Sequence, residues 1–310
     1  MVDHNLKVGW LGTGHMGAAL AGRLVAAGLD VMVWNRTTSK TDGLVAAGAS
    51  LAADPADMAD RDVVFTMVST SKDLEHVIGL LLSDPDRTPG VVIDCSTVST
   101  ECSASVRAQL AKRGAAFLAS PVSGNGNVVK AGMLSLMCSG EKAAFDRVEP
   151  ILGLLGRHVT YVGDDELSRL VKICHNVFLG VVAQSLAEIT VLAEKGGVSR
   201  AAFLDVINNS VMGSVFSRYK SPAFVHLDYT PTFTPVLLRK DMDLGARAAD
   251  DLGVPMPVAA AAREAVQSAM AQGRISEDFA VLLELQARNS GLDITPEATP
   301  VDDGLGGSAG

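Results

Sequence analysis

The sequence predicts two joined domains, a doubly wound α/β domain followed by an all-α domain, with one long helix between them. Three observations carry this prediction. Short apolar segments rich in Val alternate with helical patterns up to about residue 164, as in a parallel sheet that is buried on both faces. Beyond that point the strand patterns stop. An apolar helical pattern then runs from about Glu166 to Lys195.

The first domain, residues 1–164, contains seven segments typical of buried strands. In chain order they read LKVGWLG, DVMVWN, DVVFTMV, VVIDCS, AAFLASPV, LSLMCSG and HVTYVG. Helical patterns lie between them, for example at 15–27, 72–82, 100–113 and 142–155. This alternation predicts βαβ units and therefore a doubly wound sheet.

The interdomain helix is assigned to residues 165–196 and ends at Gly196-Gly197, a good C-cap. The all-α domain is assigned to residues 197–290. Its predicted helices cover about 199–208, 236–252, 257–272 and 276–288. Residues 291–310 are rich in Gly, Pro and acidic residues, so we predict a disordered tail.

Composition excludes several classes of function. The chain has 310 residues, of which 48% are apolar, and a net charge of −9, which disfavours nucleic-acid binding. We find no apolar run as long as a membrane span and no signal peptide, and we expect a cytoplasmic protein that binds no membrane. The four cysteines lack zinc-type spacing, so we predict free thiols and no metal site.

A glycine-rich turn, Gly12-Thr13-Gly14-His15-Met16-Gly17, follows the first predicted strand and opens the first helix. In this context G-x-G-x-x-G indicates a dinucleotide site and hence a Rossmann-type domain. Gly12 permits the tight turn, Gly14 lets the pyrophosphate approach the backbone, and Gly17 allows helix and strand to pack closely. The cofactor would also contact His15 and Met16 at the positively polarised start of the helix.

The end of the second strand predicts which dinucleotide binds. An NAD site usually carries Asp or Glu there, for the ribose 2′-hydroxyl. This chain has Asn35-Arg36-Thr37 instead. The Arg36 guanidinium can bind a 2′-phosphate that a carboxylate would repel, so we predict NADP(H) in preference to NAD(H).

Three polar residues punctuate the long apolar helix. Lys172, His175 and Asn176 stand at i, i+3 and i+4 and therefore share one face. We expect this face to line a cleft or solvent, and we expect the apolar arc that includes Cys174 and Phe178 to be packed inside.

Five stretches resemble the motifs of one family: GWLGTGHMGAALAGRL, DCSTVST, SPVSGNGNVVKAGMLSLMCSG, KICHN and RKDMDLGARAA. In this order they are similar to the β-hydroxyacid dehydrogenases, the 3-hydroxyisobutyrate dehydrogenase-like family. The resemblance covers about residues 6–288. It implies a homodimer, or a tetramer, with interlocked helical domains, an active site between the two domains and a small-molecule carboxylate substrate.

The resemblance also implies site residues. Lys172 of K-x-x-x-N would be the general acid/base and Asn176 would help to hold the substrate. Ser96, Ser123 and Gly124 would meet the substrate carboxylate. The remaining positions carried over are Val68, Ser69, Thr97 and Lys240 for the cofactor, and Asn125, Phe216 and Tyr219 for the substrate. A helical core is an equally good explanation of the two aromatic residues.

One position departs from the family pattern. The second glycine of S-G-G is Asn125 here, which leaves the identity of the acid open. We interpret Cys95 as a small lining residue that is not a nucleophile.

Lys172 would supply a proton to the carbonyl oxygen during reduction and accept one from the hydroxyl during oxidation. Two alternatives remain at this stage. Imine reductases resemble this chain but usually carry Asp or Tyr in place of the lysine. A non-catalytic NADP-binding module on the same fold is the other.

Overall fold

The computed structural model describes residues 3–306 and divides into two compact units, residues 1–172 and 173–310. The division falls inside the long helix, directly after Lys172. Within the described residues we number nine strands and twelve α-helices in chain order.

The strands are β1 (Lys7–Leu11), β2 (Asp30–Trp34), β3 (Ser50–Leu51), β4 (Val63–Thr66), β5 (Val91–Asp94), β6 (Ala116–Ala119), β7 (Val122–Ser123), β8 (Ser135–Gly140) and β9 (His158–Tyr161). The helices of the first unit are α1 (His15–Ala26), α2 (Asp42–Ala46), α3 (Ser71–Leu81), α4 (Thr100–Ala111), α5 (Gly126–Lys130) and α6 (Lys142–Leu152). Helix α7 (Leu167–Lys195) runs from the first unit into the second. The helices of the second unit are α8 (Arg200–Asn209), α9 (Val215–His226), α10 (Pro235–Leu252), α11 (Pro257–Ala271) and α12 (Leu282–Asn289).

The first unit is a doubly wound sheet with the strand order β3-β2-β1-β4-β5-β6-β8-β7, and β9 pairs with β8. Strands β1 to β6 are parallel, whereas β8 runs antiparallel to β6 and β7. Alternate strand residues face two separate cores, so that Trp10 lies in one and Leu11 in the other. Helices α1 and α6 cover the first core, and α3 and α4 cover the second. The predicted fold class is confirmed.

The second unit is helical, and its core draws on every helix from α7 to α12. Helix α9 was not predicted. Its third turn contains Pro222, a residue that usually ends a helix, and the pattern around it is polar. A capping box of Ser214 and Ser217 starts the helix nonetheless.

The predicted disorder of residues 291–310 is wrong for the part that the structure describes, and residues 307–310 lie outside it. Leu292, Ile294 and Val301 pack on the core of the second unit. The carboxylate of Glu297 accepts hydrogen bonds from the backbone N–H groups of Arg200 and Ala201, at 2.7 and 3.1 Å. It thereby caps α8 at the positive end of the helix dipole. Composition alone gave no sign of this one anchoring carboxylate.

Helix α7 is, among the described residues, the one helix long and apolar enough to cross a membrane. The prediction that no apolar run reaches this length is therefore wrong. Half of its most apolar window is buried inside the structure, as in the core helix of a globular protein, so the evidence for a span is weak.

Candidate active site

The glycine-rich loop after β1 has the shape of a pyrophosphate cradle. Gly12 has a φ of +99°, and a Cβ there would lie 2.3 Å from the carbonyl oxygen of Met67. A Cβ on Gly17 would lie 2.0 Å from the carbonyl oxygen of Gly12. A Cβ on Gly14 would meet nothing within 4 Å. Packing thus requires glycine at positions 12 and 17. Gly14 instead leaves space at the start of α1, where the phosphates of a dinucleotide fit.

The end of β2 is tied to this loop by Asn35. Its Oδ1 accepts a 3.0 Å hydrogen bond from the N–H of Thr13, and its Nδ2 donates one of 2.9 Å to the carbonyl of Thr37. The side chain of Arg36 is 79% exposed and forms a 3.1 Å ion pair with Asp73 in the first turn of α3. The Thr70 hydroxyl, together with Arg36, holds the pKa of Asp73 below its usual value. Arg36 is therefore placed to bind a ligand, beside a carboxylate that competes for it.

Ser96, predicted to meet a substrate carboxylate, is fully buried. Its hydroxyl donates a 2.6 Å hydrogen bond to Oδ1 of Asp94 and accepts one of 2.8 Å from the N–H of Val68. This hydroxyl is already engaged by two groups of the protein, and its predicted contact with a substrate carboxylate stays a prediction. Ser96 instead links the loops after β4 and β5. The next residue, Thr97, is half-buried, and Ser69 on the neighbouring loop is exposed.

Cys95 lies between these residues and is also buried. Burial, and then the Asp94 carboxylate, raises the pKa of its thiol well above the usual value. A thiol that stays protonated is a poor nucleophile, which agrees with the interpretation of Cys95 as a lining residue.

The Ser123–Asn125 turn shows how this chain accommodates its departure from the family pattern. Gly124 has a φ of +138°, and a Cβ there would lie 2.7 Å from Val128. Asn125 has a φ of −117°, outside the left-handed region, and its Oδ1 accepts hydrogen bonds from the N–H groups of Asn127 and Val128. Asn125 is thus the N-cap of α5, whereas Ser123 is half-buried beside it.

Helix α7 buries only part of the apolar arc that the sequence predicted, and Val177 is its buried member. Cys174 is exposed and the Phe178 side chain is 67% exposed, whereas Asn176 is buried and Lys172 is half-buried. Apolar residues surround this helix, so periodicity alone could not identify the covered face.

Asn176 is held by two neighbours within the second unit. Its Nδ2 donates a 2.6 Å hydrogen bond to Oδ2 of Asp241, and its Oδ1 lies 2.9 Å from Nδ1 of His175. Lys240 Nζ lies 3.1 Å from the other oxygen of Asp241, an ion pair without hydrogen-bond geometry. Asp241 therefore joins two predicted site residues, Asn176 and Lys240.

The sequence reasoning missed Asp241, although a signal was present. The buried residues of α10 include Leu238, Met242, Gly245 and Ala249, and Asp241 stands in the middle of that stripe. A carboxylate within an apolar stripe needs a partner and so marks a site. On the same helix, Asp243 pairs with Arg239 and Arg263.

Phe216 and Tyr219, predicted to contact the substrate, lie on α9 against the core of the second unit. Phe216 stacks on Phe279 with a ring separation of 6.2 Å and meets Tyr219 edge to face at 5.5 Å. Burial raises the pKa of the Tyr219 phenol. This packing explains both rings without a substrate, so their binding role stays a prediction.

Comparison with known proteins places the chain in a family. Residues 7–163 match the model for the NAD binding domain of 6-phosphogluconate dehydrogenase. Residues 168–286 match the model for the NAD-binding domain of NADP-dependent 3-hydroxyisobutyrate dehydrogenase. The chain belongs to the 3-hydroxyisobutyrate dehydrogenase-like family. The predicted resemblance is confirmed, and the protein is an oxidoreductase that acts on CH–OH groups.

Members of the family are similar over nearly the whole chain. Glyoxylate/succinic semialdehyde reductase 1 of Arabidopsis thaliana is 32% identical, over 90% of this chain and 98% of its own length. The NAD-dependent L-serine dehydrogenase of Pseudomonas aeruginosa is 31% identical, over 90% of this chain and 97% of its own. The structure of Mycobacterium tuberculosis 3-hydroxyisobutyrate dehydrogenase with L-serine superposes with a TM-score of 0.79 at 26% identity, covering 91% of this chain and 99% of that one.

Imine reductases share the fold. The enzyme from a Pseudomonas species has a TM-score of 0.60 at 20% identity, covering 90% of this chain and 99% of its own. That likeness concerns the fold alone.

Proposed function

We propose that this oxidoreductase is an NADP(H)-dependent β-hydroxyacid dehydrogenase that interconverts a small carboxylate-bearing alcohol and its aldehyde or ketone. Lys172 serves as the general acid/base. The observation that carries the proposal is the lysine itself, half-buried on α7 in a K-x-x-x-N frame. An imine reductase has no substrate carbonyl for a lysine to polarise. A non-catalytic binding module has no reaction that needs a proton donor.

The nicotinamide supplies or accepts the hydride when the cofactor is bound. As negative charge grows on the substrate oxygen, the Lys172 ammonium stabilises it and donates a proton. In the opposite direction, neutral Lys172 removes the hydroxyl proton. Asn176, fixed by Asp241 and His175, provides a rigid surface one helical turn away on α7. Cys95 and the buried Ser96 stay outside the proton transfer.

The preference for NADP(H) rests on Arg36. Its exposed guanidinium stands at the end of β2, where NAD enzymes usually carry a carboxylate. We expect Arg36→Ala to raise the KM for NADPH at least about tenfold, as for a lost charge-assisted contact of about 1.4 kcal/mol, with the KM for NADH nearly unchanged. Lys112→Ala, at the exposed C-cap of α4, is the control. An unaltered NADPH preference in Arg36→Ala would refute the assignment.

The proposed substrate class is supported by the Ser123–Gly124 turn, where a half-buried serine stands beside a glycine. Relatives are named for glyoxylate, succinic semialdehyde, 3-hydroxyisobutyrate and L-serine, all small and all bearing a carboxylate. The deciding experiment is an absorbance screen at 340 nm over hydroxyacids, semialdehydes and a cyclic imine, with both cofactors. Turnover of a hydroxyacid or semialdehyde is the expected result. Turnover of the imine alone would favour an imine reductase, and NADPH binding without any turnover would favour a binding module.

We also propose that the protein is a homodimer formed through its helical unit. Support comes from an exposed row of apolar residues along one face of α7, the α7 stripe: Val171, Cys174, Phe178, Ile189 and Leu192. Phe178 and Leu192 are 67% and 73% exposed. Ser185 lies between the two halves of this row, and exposed apolar residues grouped on one face usually mark an interface.

The dimer is tested by Phe178→Glu and Leu192→Glu, which place charges on the α7 stripe. We expect both variants to elute as monomers in size-exclusion chromatography with light scattering. Val45→Glu, at an exposed position of α2 in the first unit, is the control and should keep the wild-type mass. Wild-type mass in all three variants would show that the stripe does not mediate assembly.

Cytoplasmic location stays a prediction.

A further inference from the structure

A buried guanidinium stands three residues before Lys172 on α7. The side chain of Arg169 is 2% exposed and forms an ion pair with Asp94, which is fully buried at the end of β5. Residues of this kind are costly to place in a protein interior, and a buried ion pair alone is weak evidence for a stabilising role. Its position therefore calls for another explanation.

Each nitrogen of the guanidinium is committed to a different group. Nη2 binds Oδ2 of Asp94, Nη1 donates to the carbonyl of Ser96, and Nε donates a 3.2 Å hydrogen bond to the hydroxyl of Ser103 on α4. One planar side chain thus fastens the first turn of α7 to the end of β5, to the loop after it and to a neighbouring helix. A lysine has the charge for the Asp94 contact but not the fork that reaches three acceptors at once.

Asp94 extends this network to the predicted cofactor loops. Its Oδ1 accepts 2.6 Å hydrogen bonds from the hydroxyls of Thr66, at the end of β4, and of Ser96. The Ser96 hydroxyl in turn accepts a hydrogen bond from the N–H of Val68. A continuous chain of hydrogen bonds therefore runs from the loop after β4, through Asp94, to the start of α7.

We propose that Arg169 is a positioning residue that sets the place of Lys172 relative to the loops after β4 and β5. Lys172 follows Arg169 by nearly one helical turn, about 4.5 Å along the axis. A fixed first turn therefore fixes the base of the Lys172 side chain. This inference rests on the proposed acid/base role of Lys172.

The test compares Arg169→Lys and Arg169→Gln with a matched control in the second unit. Arg200 is likewise fully buried and forms an ion pair with Glu194, but it anchors the C-terminal segment, so Arg200→Lys is the control. Thermal unfolding, the Kd for NADPH, kcat and KM are measured for all variants. Because a displacement of about 1 Å can cost about 100-fold in rate, we expect kcat to fall about tenfold in Arg169→Lys and about 100-fold in Arg169→Gln. The Kd for NADPH should stay within about threefold of wild type.

The pH profile separates positioning from general destabilisation. One limb of the pH profile of kcat should be lost in Lys172→Ala. We expect this limb to shift along the pH axis in Arg169→Lys and to stay in place in Arg200→Lys. Both arginine variants should have a lower melting temperature than wild type. Wild-type kcat in folded Arg169→Lys and Arg169→Gln would overturn the proposal. The proposal would also be overturned if Arg200→Lys and Arg169→Lys lost the same melting temperature and the same factor in kcat.

If neither Arg169 variant folds, Ser103→Ala removes a single contact of the guanidinium and leaves the ion pair in place. A kcat lowered several-fold with unchanged NADPH affinity supports the proposal, and wild-type kcat contradicts it. Lys172→Ala is assayed in parallel. If Lys172→Ala keeps normal turnover, the proposed function fails. If it is inactive while the Arg169 variants behave as wild type, only the positioning role fails.

Discussion

The amide of Asn176 donates a 2.6 Å hydrogen bond to Oδ2 of Asp241, and both side chains are buried in the second unit. The contact joins α7 to α10 through two buried polar groups. Burying either polar group without a hydrogen-bond partner would destabilise the fold, so each depends on the other.

Loss of Asp241 should therefore destabilise the second unit. We expect Asp241→Ala to lower the free energy of unfolding by about 1–3 kcal/mol, because the buried Asn176 amide loses its acceptor. Asp243→Ala, on the same helix but partly exposed, should cost less than about 1 kcal/mol. Urea denaturation measures both. Equal losses would show that the buried contact contributes no more than a surface ion pair.

The glycine-rich loop allows a contrast between two single methyl groups. Gly14 has a φ of −64° and open space at its Cβ, so Gly14→Ala should fold normally but bind NADPH about tenfold or more weakly. Gly17→Ala would place its Cβ 2.0 Å from a carbonyl oxygen and should cost about 1–3 kcal/mol of stability. Fluorescence titration and thermal unfolding distinguish the two effects. Normal NADPH affinity in Gly14→Ala would mean that the phosphates bind elsewhere.

Asp73 competes with a cofactor phosphate for Arg36. We expect Asp73→Asn to lower the KM for NADPH by a factor of about 1.4 to 5, the value of an exposed ion pair of about 0.2–1 kcal/mol, and to leave the KM for NADH unchanged. The asparagine can still accept a hydrogen bond from the Thr70 hydroxyl, so α3 should keep its start. A higher KM for NADPH in this variant would show that Asp73 assists cofactor binding.

Acid stability of the second unit should depend on Glu284. Its hydrogen bonds to Arg274, together with Arg288, lower the pKa of this carboxyl in the folded protein. A lowered folded-state pKa stabilises the fold at pH values above the unfolded pKa of about 4.3, and this contribution is lost as the pH falls through the folded value. Glu284→Gln should thus be less stable than wild type at pH 7, with a difference that shrinks below about pH 4. Glu149→Gln, at an exposed position, should change stability by less than about 0.5 kcal/mol. A difference in Glu284→Gln that does not vary with pH would contradict this account.

The first unit could be predicted well because its signals are local. Buried parallel strands are short apolar runs, and the three glycines of the first loop report directly on backbone space. The two-residue β3 gave too short a run to notice. The antiparallel β8 could not be inferred, because strand direction depends on pairing partners rather than on composition.

The second unit and the site were less predictable. Helix α7 is apolar on nearly all sides, so the sequence could not show that Asn176 faces inward and Phe178 outward. Ser96 belongs to a family motif, but its hydroxyl is hydrogen-bonded to Asp94. Only the fold shows how these two side chains are oriented toward each other. Glu297 and Arg200 help to hold the C-terminal segment through long-range contacts, which a composition typical of disorder does not reveal.

The central claim concerns Lys172, and the most direct measurement is single-turnover reduction by NADPH-loaded Lys172→Ala. We predict that its rate falls at least about 100-fold while the Kd for NADPH stays that of the wild type. Lys195→Ala, which removes an exposed lysine at the end of the same helix, should react at the wild-type rate. A near-normal rate in Lys172→Ala would contradict the claim that this lysine transfers the proton.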